Sequence, residues 1–394
     1  MSSFDQDQLT AFIEAEIPSL IAIRHSLHEN PGIMYQETYA ARVVQDELRS
    51  ADIEFRAGLA GGTGVLAHLP GKALAAIGLR ADMDALPIQE ETGYAHASKI
   101  PGVMHACGHD GHTTILIGAA RVLKRISNLI PLPRPVTFVF QPAEEGGAGG
   151  ARMIEDGCLD GTVLGPRIAQ MFALHGWPDL DVGKMLTREG AITAATAEFK
   201  ITVEGQGGHA AFPHFGHDPI VAAAAVVMAL QTIVARNVDP LLSAVVSVTM
   251  FHGGTAFNVI PGQVYLQGTL RALDTTVMRL IKERVTSIAE QVATAHGCQA
   301  AVNHTALDYP VTINGKEAID MLRTSVPEID TTMPPVMGGE DFAYYSQVVP
   351  SGFFMLGLRL GPEKMPGLHH PKFDFTDEAI RVGISAFCRL ALRD

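Results

Sequence analysis

Short apolar runs that are followed by acidic or histidine residues recur along the chain. Val136–Phe140 is β-branched and aromatic, which is typical of a buried strand, and Glu144 and Glu145 follow it. In open α/β sheets, chemistry collects at the carboxyl ends of strands, so we expect the polar residues after these runs to share one site. Three other runs show the same pattern: Leu74–Leu79 before Asp82 and Asp84, Ile168–Leu174 before His175, and Phe353–Leu358 before His369 and His370.

Helices alternate with these strands in the first half of the chain. Helix signals run through Leu9–His28, Thr38–Ala51 and Thr113–Ile126. Such alternation predicts an α/β domain with a mostly parallel sheet and helices on both faces.

Between residues 191 and 307 the order of predicted elements changes to β-α-β-β-α-β, which is typical of a small α+β sandwich with helices on one face. A helix at Gly315–Ser325 and the strand at Phe353–Leu358 then resume the first pattern. We therefore expect a catalytic domain of residues 1–190 and 308–394, interrupted by a lid or dimerisation domain at 191–307. The predicted elements of the insertion are Glu198–Val203, Pro219–Ala235, Ser243–Phe251, Gln263–Leu270, Thr276–Ala295 and Gln299–Thr305.

Composition indicates which classes of partner the protein does not bind and in which cellular compartment it is found. The formal net charge is −13 and no basic stripe offsets it, which argues against nucleic acid as a partner. The longest apolar stretch, Ile220–Leu230, is too short to span a bilayer and predicts a buried helix. The N-terminus is acidic, unlike a signal peptide, and the four cysteines lack disulfide-scaffold spacing. A cytoplasmic, reduced protein fits best, and a secreted protein with a trimmed leader is the alternative.

A histidine-rich loop contains the cysteine with the clearest chemical context. Cys107 and His109 stand two residues apart beside His112, and a thiolate with an imidazole is a good ligand pair for zinc, cobalt or nickel. The adjacent Glu144 and Glu145 cannot both be buried as bare charges, so they need a metal, a proton or a cation nearby. These features indicate one metal site assembled from distant segments.

Other interpretations of these residues remain open. Cys107 is either a ligand, a buried small hydrophobe or a nucleophile paired with a histidine, although paired carboxylates have no evident use in a thiol hydrolase. At the start of its helix, His112 is better suited to hydrogen-bonding a ligand's carboxylate than to binding metal. On residue chemistry alone, Asn258 would be a turn residue and Arg271 a surface ion pair.

Nine motifs, found in order over nearly the whole chain, resemble those of the M20 metallopeptidases. Within this family they are most similar to the amidohydrolase branch, which includes hippurate hydrolases, N-acyl-amino-acid amidohydrolases and auxin-conjugate hydrolases. The motifs are Arg24–Pro31, Gly78–Ile88, Met104–His112, Phe140–Gly146, Leu174–His175, Gly207–Ala210, Phe257–Pro261, Gly338–Phe342 and Leu368–Pro371.

The resemblance implies a site with two divalent metal ions, of zinc, manganese, cobalt or nickel, and Glu144 as general base. Asp82, Asp84 and His112 would orient ligands. The implied ligands are Cys107, which would bridge the ions, His109, Glu145, His175 and His369.

The resemblance also implies roles for the inserted domain. His209, Asn258 and Arg271 would polarise the scissile carbonyl and bind the substrate's carboxylate, often across a dimer interface. We thus expect a homodimer or higher homo-oligomer that hydrolyses small N-acyl-amino acids and binds neither nucleic acid nor membrane. The alternatives are a metallo-carboxypeptidase or aminopeptidase of small peptides, a thiol hydrolase, and a binding protein that has kept only the fold.

Overall fold

The computed structural model describes residues 5–304 and 308–393. The chain divides into two compact units. The first unit runs up to Gly190 and also contains Ile313–Pro334 and the chain from Asp341 onward, and the second contains Ala191–Thr312 and Pro335–Glu340. Leu307, where the sequence places the second border of the insertion, lies outside the described residues. The assignment of domains therefore stays a prediction.

The strands and helices of the described residues are numbered here in chain order. The strands are β1 (Glu54–Leu59), β2 (Gly64–Leu69), β3 (Ala76–Asp82), β4 (Val136–Gln141), β5 (Ile168–Asp181), β6 (Met185–Leu186), β7 (Gly190–Thr193), β8 (Ala195–Glu204), β9 (Gly208–His209), β10 (Ala244–Gly253), β11 (Val259–Ile260), β12 (Gln263–Ala272), β13 (Gln299–His304), β14 (Thr312–Asn314), β15 (Ile329–Asp330) and β16 (Ser351–Arg359). The α-helices are α1 (Gln6–Glu29), α2 (Thr38–Ser50), α3 (His109–Ser127), α4 (Gly149–Glu155), α5 (Pro219–Leu230), α6 (Thr232–Asn237), α7 (Thr275–Ala295), α8 (Lys316–Ser325), α9 (Ala343–Ser346) and α10 (Glu378–Ala391).

An eight-stranded sheet forms the centre of the first unit, in the order β1-β2-β4-β3-β5-β16-β6-β15. Its middle strands β4, β3, β5 and β16 run parallel, whereas β1 and β2 at one edge and β6 near the other pair antiparallel. Every residue of β3 and β4 is buried. Because side chains alternate between the two faces of a strand, complete burial means that both faces are covered. The predicted α/β class with a mostly parallel sheet is confirmed.

Strand β5 is longer than the sequence predicts. We expected it to end at Leu174 with His175 just beyond it, but the strand continues to Asp181. His175 therefore lies within the strand and is paired in register with Met355 of β16. The prediction was wrong because the apolar run stops at Leu174, whereas backbone pairing with β16 continues through polar residues.

A four-stranded antiparallel sheet, in the order β10-β12-β8-β13, forms the second unit. Alternate residues of β8, namely Phe199, Ile201 and Val203, are buried in one core with α5 and α7. The predicted α+β insertion is confirmed as a fold. The predicted buried helix at Ile220–Leu230 is buried on one face only, because Val221 and Met228 are 54% and 72% exposed.

Two further observations concern membrane spans and disulfide bonds. Among helices within residues 5–304 and 308–393, none is long and apolar enough to cross a bilayer. All four cysteines fall within these ranges, and each is buried and free of disulfide bonds.

Candidate metal centre

Side chains from distant segments of the first unit meet in two groups that share one sulfur atom. Ligand atoms of Cys107, His109 and His175 all lie within 4.8 Å of one another. The same limit holds for Cys107, Glu145 and His369. The structure thus brings together all five residues for which the family resemblance implies a ligand role, with Cys107 common to both groups.

His109 opens helix α3 and presents one ring nitrogen to the site. It follows Gly108, whose positive φ of 87° turns the chain from the Cys107 loop into the helix. The Nδ1 atom lies 2.8 Å from the Asp84 carbonyl oxygen, which only accepts, so Nδ1 carries the proton. The other nitrogen, Nε2, is buried without a hydrogen-bond partner among the described residues. Since such a nitrogen is costly to leave unsatisfied, a metal ion fits this position.

His175 is oriented in the same way. Its Nδ1 atom donates to the carbonyl oxygen of Gly176 at 2.8 Å, and its Nε2 atom lies 3.4 Å from Cys107 Sγ. Burial, with a contribution from His112, lowers the pKa of His175 to about 3. The ring is therefore neutral and keeps a lone pair on Nε2, as a metal ligand requires.

The carboxylate of Asp84 fixes the two neighbouring glutamates. Its two oxygens accept the backbone N–H groups of Glu144 and Glu145 at 3.0 and 2.9 Å. Because the Asp84 carbonyl also accepts from His109, one residue positions three predicted site residues. The Glu144 side chain is buried, and its Oε1 atom accepts the backbone N–H of Asp341 at 3.3 Å.

His369, and not the adjacent His370, faces the site. Its Nε2 atom lies 3.2 Å from Glu145 Oε1, and its backbone N–H donates to Ala106 at 2.8 Å. With φ of 62°, His369 adopts the left-handed conformation that non-glycine residues adopt only when their surroundings enforce it. The His370 ring is exposed, and its Nδ1 accepts the N–H of Lys372.

His112 supports the site without offering a lone pair to it. Its Nδ1 atom is 2.7 Å from Asp82 Oδ1, and its Nε2 atom accepts the N–H of Gly176 at 2.8 Å. A histidine whose Nε2 accepts and whose Nδ1 donates has both nitrogens occupied. Its position beside His175 suits orientation of that ring rather than metal ligation.

Sequence reasoning missed a buried ionic network behind the ligands. The Arg80 guanidinium donates to Asp82 at 2.7 Å, to Gln141 at 2.9 Å and to Asp341 at 2.6 Å. Asp341 also accepts from Gln141 and from the N–H of Gly150. Arg80 and Asp341 stand within two of the quoted motifs, so an arginine inside a buried strand was the available signal. Its planar fork connects the ends of β3 and β4 to the Asp341 segment.

The second unit holds the three residues for which the resemblance implies contact with substrate. His209 in β9 pairs with Val259 in β11, and Ala210 N–H donates to the Asn258 carbonyl at 3.1 Å, so His209 and Asn258 are neighbours. His209 Nδ1 accepts from the N–H of Ala211 at 3.0 Å. A neutral His209 therefore carries its proton on Nε2, which makes that atom a donor.

Arg271 lies on β12 of the four-stranded sheet and not in the two-stranded β9–β11 sheet that carries His209. Gln263, at the end of β12 next to β11, pairs with Glu204, whereas Arg271 pairs with Thr196 at the far end. Eight residues of extended strand span about 26 Å, which is longer than a small N-acyl-amino acid.

The sequence of this chain matches an established protein family. The model of Peptidase family M20/M25/M40 matches residues 78–393. The chain belongs to this family. The resemblance predicted from the nine motifs is confirmed, and the protein is a metal-dependent hydrolase of the M20 type.

Similar proteins of the M20 family carry names that refer to different activities. An IAA-amino acid hydrolase ILR1-like 5 of Arabidopsis thaliana is 39% identical over 95% of this chain and 86% of its own length. An N-acetyl-L-cysteine deacetylase of Bacillus subtilis is 41% identical over 92% of this chain and 84% of its own. A thermostable carboxypeptidase 2 of Saccharolobus solfataricus is 37% identical over 95% of each.

The fold of a solved M20 structure agrees with this similarity. The YXEP protein of Bacillus subtilis, described as a dinuclear metal binding peptidase from the M20 family, superimposes with a TM-score of 0.80 at 33% identity. The alignment covers 96% of this chain and 98% of that one.

The charges of this M20 site fit divalent cations. Burial raises the pKa of the Cys107 thiol well above its usual range, and the carboxylates of Glu145 and Glu144 raise it further. Burial lowers the pKa of His109, but the surrounding carboxylates outweigh burial and raise it to about 10. The carboxylates contribute to both shifts, and a bound cation would compensate their negative charge. Because Cys107 Sγ belongs to both ligand groups, one with His109 and His175 and one with Glu145 and His369, the geometry favours Cys107 as a ligand.

Proposed function

We propose that the protein is a two-metal amidohydrolase that hydrolyses N-acyl-amino acids to a carboxylate and a free amino acid. The observation that carries the proposal is the pair of ligand groups sharing Cys107, with the buried Glu144 beside them. Two relatives are named for such substrates, an indole-3-acetyl (IAA) amino acid and N-acetyl-L-cysteine. The thiolate of Cys107 together with the imidazoles and carboxylates would suit zinc, manganese, cobalt or nickel.

Glu144 transfers the proton in this proposal. Divalent ions supply Lewis acidity, which polarises a carbonyl and lowers the pKa of water. Glu144 takes a proton from the attacking water as the water oxygen bonds to the acyl carbon. When the C–N bond breaks, Glu144 returns this proton to the leaving amine nitrogen. Asp84 holds the backbone of Glu144 at 3.0 Å, which keeps the base in place.

Two subunits complete one site in this proposal. His209 Nε2–H is suited to donate to the oxyanion that develops on the substrate carbonyl, and Arg271 to bind the amino-acid carboxylate. The β9–β11 pair that carries His209 adjoins the Gln263 end of β12, and Arg271 stands at the other end of that strand. We infer that a single small substrate contacts both residues only if they come from different chains. We therefore infer a homodimer in which His209 acts on the neighbouring subunit's substrate.

The second unit offers a surface for such pairing. Strand β10 is an edge of its sheet, paired within the described residues only with β12. Val221 and Met228 add exposed apolar surface on α5. An open strand edge beside apolar side chains favours a symmetric interface between two copies. Light scattering after size exclusion should give twice the mass of the 42.0 kDa chain.

Exposed aromatic side chains near His209 favour an aromatic acyl group. Phe212 is 53% exposed, with its ring 5.3 Å from that of His209, and Phe257, adjacent to Asn258, is fully exposed. Acyl groups such as those of hippurate or indole-3-acetyl-amino acids would cover these rings. N-acetyl-amino acids are the second choice, since they leave the rings uncovered.

The similarity to a carboxypeptidase favours a second candidate function, cleavage of small peptides. The deciding experiment supplies the metal-free protein with zinc, manganese, cobalt or nickel. It then compares hippurate, indole-3-acetyl-amino acids, N-acetyl-amino acids and dipeptides by kcat/KM. We expect the aromatic N-acyl-amino acids to be cleaved fastest. Faster cleavage of dipeptides would establish the peptidase instead. The predicted cytoplasmic location stays a prediction that fractionation of cells would test.

A further inference from the structure

A second buried charge cluster lies in the first unit, centred on Arg24 of helix α1. The Arg24 side chain is 1% exposed, although arginine is seldom buried without partners. Its Nε atom donates to Asp377 at 2.9 Å, and its Nη1 atom donates to Asp374 and lies 3.6 Å from Asp110. One guanidinium therefore contacts three carboxylates.

These carboxylates belong to the two segments that carry metal-ligand residues. Asp110 directly follows His109 at the start of α3, whereas Asp374 and Asp377 follow His369 on the segment before α10. These segments are more than 250 residues apart in sequence. Arg24 contacts them both from a helix that contains none of the five ligand residues.

A neighbouring residue of α1 holds the Asp110 side independently. His28 stands one turn after Arg24, and its Nδ1 atom lies 2.9 Å from Asp110 Oδ2. Arg24 is therefore the weaker of two contacts to the His109 segment. For the segment after His369 it supplies two direct hydrogen bonds, to aspartates that His25 and His96 also contact.

Packing presses the same segment onto the loop that holds Cys107 and His109. Phe375, between the two aspartates, lies against Gly108 and Gly111, where a side-chain carbon at Gly111 would come within 2.4 Å of the phenyl ring. The ring also meets His112 edge-on, at 5.9 Å between centroids. His369 stands just before this segment, so a shift of the segment would move His369 relative to Cys107. The two side chains belong to one ligand group, and the shift would therefore disturb that group.

We propose that Arg24 is a positioning residue of the metal centre, which holds His369 in place relative to the Cys107–His109 segment. The inference rests on the metal site of the proposed function but not on its substrate. A buried ion pair adds little net stability compared with apolar packing, whereas its directional bonds fix geometry. Loss of Arg24 should therefore weaken the ion held by Cys107, Glu145 and His369, and leave the ion at Cys107, His109 and His175 in place.

The test measures zinc binding without substrate. Metal-free wild type, Arg24→Met, Arg24→Lys and Asp377→Asn are titrated with zinc against a chromophoric chelator. We expect two zinc ions per wild-type chain. In Arg24→Met the weaker of the two should bind about 10- to 100-fold less tightly, as is usual when a residue behind a ligand is removed. Arg24→Lys and Asp377→Asn keep part of the contacts, so their affinity for this zinc ion should lie between those of wild type and Arg24→Met.

Arg121→Met is the matched control. Arg121 is a partly buried arginine whose two carboxylate partners, Glu16 and Glu47, are not on a ligand segment. Its loss should change thermal stability and leave both zinc affinities within about twofold of wild type, since it lies outside the network behind the ligands.

Three results would overturn the inference: equal weakening of both ions, an effect of Arg121→Met as large as that of Arg24→Met, or unchanged affinities in every Arg24 variant. If Arg24→Met does not fold, Asp377→Asn decides, because it removes one acceptor and keeps the guanidinium paired with Asp374. A wild type that binds two zinc ions but cleaves no N-acyl-amino acid would refute the proposed function alone. A wild type that binds fewer than two ions would overturn both.

Discussion

The metal centre of the first unit and the candidate substrate groups of the second unit are built in different ways. In the centre, His109, His175 and His112 each have Nδ1 committed to a protein acceptor, and all three are held before any ligand arrives. In the second unit, His209 is exposed and held by one backbone N–H. Phe257 beside Asn258 is fully exposed.

This difference indicates that the metal ligands and the candidate substrate groups are held in position in different ways. A metal ligand must be preorganised, because small displacements cost affinity, and burial within one unit supplies that order. Exposed groups such as His209 acquire their order from what binds them, whether a substrate or a second chain. Mutations of the metal ligands should therefore affect metal and activity together, whereas mutations in the second unit should affect activity alone.

The largest expected effect is loss of the ligand common to both groups. Cys107→Ala and chelator treatment of wild type should each reduce turnover below detection, and added zinc should restore only the chelated wild type. Zinc analysis and hippurate hydrolysis are measured together. Cys388→Ala, which removes another buried free cysteine, is the control and should keep its metal. An acyl-enzyme trapped on Cys107 would contradict the ligand role.

Glu144→Gln should lower kcat by about two to four orders of magnitude, which is the usual range for loss of a general base. Zinc content should remain that of wild type, because Glu144 lies beside the ligands without being one of them. Glu155→Gln, an exposed glutamate in α4, serves as the control. Activity of Glu144→Gln within tenfold of wild type would refute its role as the base.

His209→Ala should lower kcat by about two to three orders of magnitude, as expected for one lost oxyanion donor, with zinc content unchanged. The exposed neighbour His214 provides the control variant His214→Ala. Mixing His209→Ala with Glu144→Gln sharpens the comparison. If His209 acts across the dimer, each mixed dimer contains one intact site and activity returns. Absence of recovery after subunit exchange would place His209 in the site of its own chain.

Arg271→Ala should reduce the preference for substrates with a free carboxylate. A buried polar site rejects ligands that leave its groups unpaired, so wild type should cleave a free acid much faster than its amide. The variant should cleave the two at similar rates while keeping both zinc ions. Equal discrimination by wild type and variant would show that the carboxylate is bound elsewhere.

A smaller effect is expected from crowding the metal centre. Gly111→Ala places a carbon 2.4 Å from the Phe375 ring and should destabilise the fold by about 1–3 kcal/mol, as overpacking usually does. Chemical denaturation of the metal-free protein measures it. Gly262→Ala is the control, because a side-chain carbon there meets nothing within 4 Å. Equal stability of the two variants would contradict the tight packing of Phe375.

The last prediction concerns the pH dependence of stability. Burial raises the pKa of Glu37, whose carboxylate accepts the N–H of Ala143 next to Glu144, to about 7. A raised folded-state pKa means that the folded chain binds the proton more tightly. The stability of wild type relative to Glu37→Gln should therefore fall as pH rises from about 4.5 to about 7, and stay level above it. A constant difference from pH 5 to pH 8 would refute the shift.

The sequence predicted elements and ligand types better than it predicted distances. Periodicity located the helices and the buried strands, because the spacing of apolar residues along the chain reflects which faces are buried. It did not reveal that His175 lies inside β5, since backbone pairing does not depend on side-chain polarity. The family resemblance favoured His369 over His370, and in the structure it is His369 Nε2 that lies 3.2 Å from Glu145.

Longer-range geometry was beyond sequence patterns for a related reason. The hydrogen bonds of Arg80 to Asp341 and of Arg24 to Asp377 join residues more than 250 positions apart, so neither has a local signature. Exposure of Val221 and Met228 was missed because an apolar helix looks buried until its neighbours are known. The family motifs identified the candidate site residues, and the structure showed which of them are in contact.

The length of strand β12 has a consequence for how activity should scale with enzyme concentration. If His209 and Arg271 serve one substrate from two chains, dissociation of the dimer removes the carbonyl donor and leaves the metal centre intact. Specific activity would then decline on dilution below the dissociation constant of the dimer, while zinc stayed bound. Substrate, by bridging the two chains, would oppose that decline. The enzyme would thus be most sensitive to dilution when its substrate is scarce.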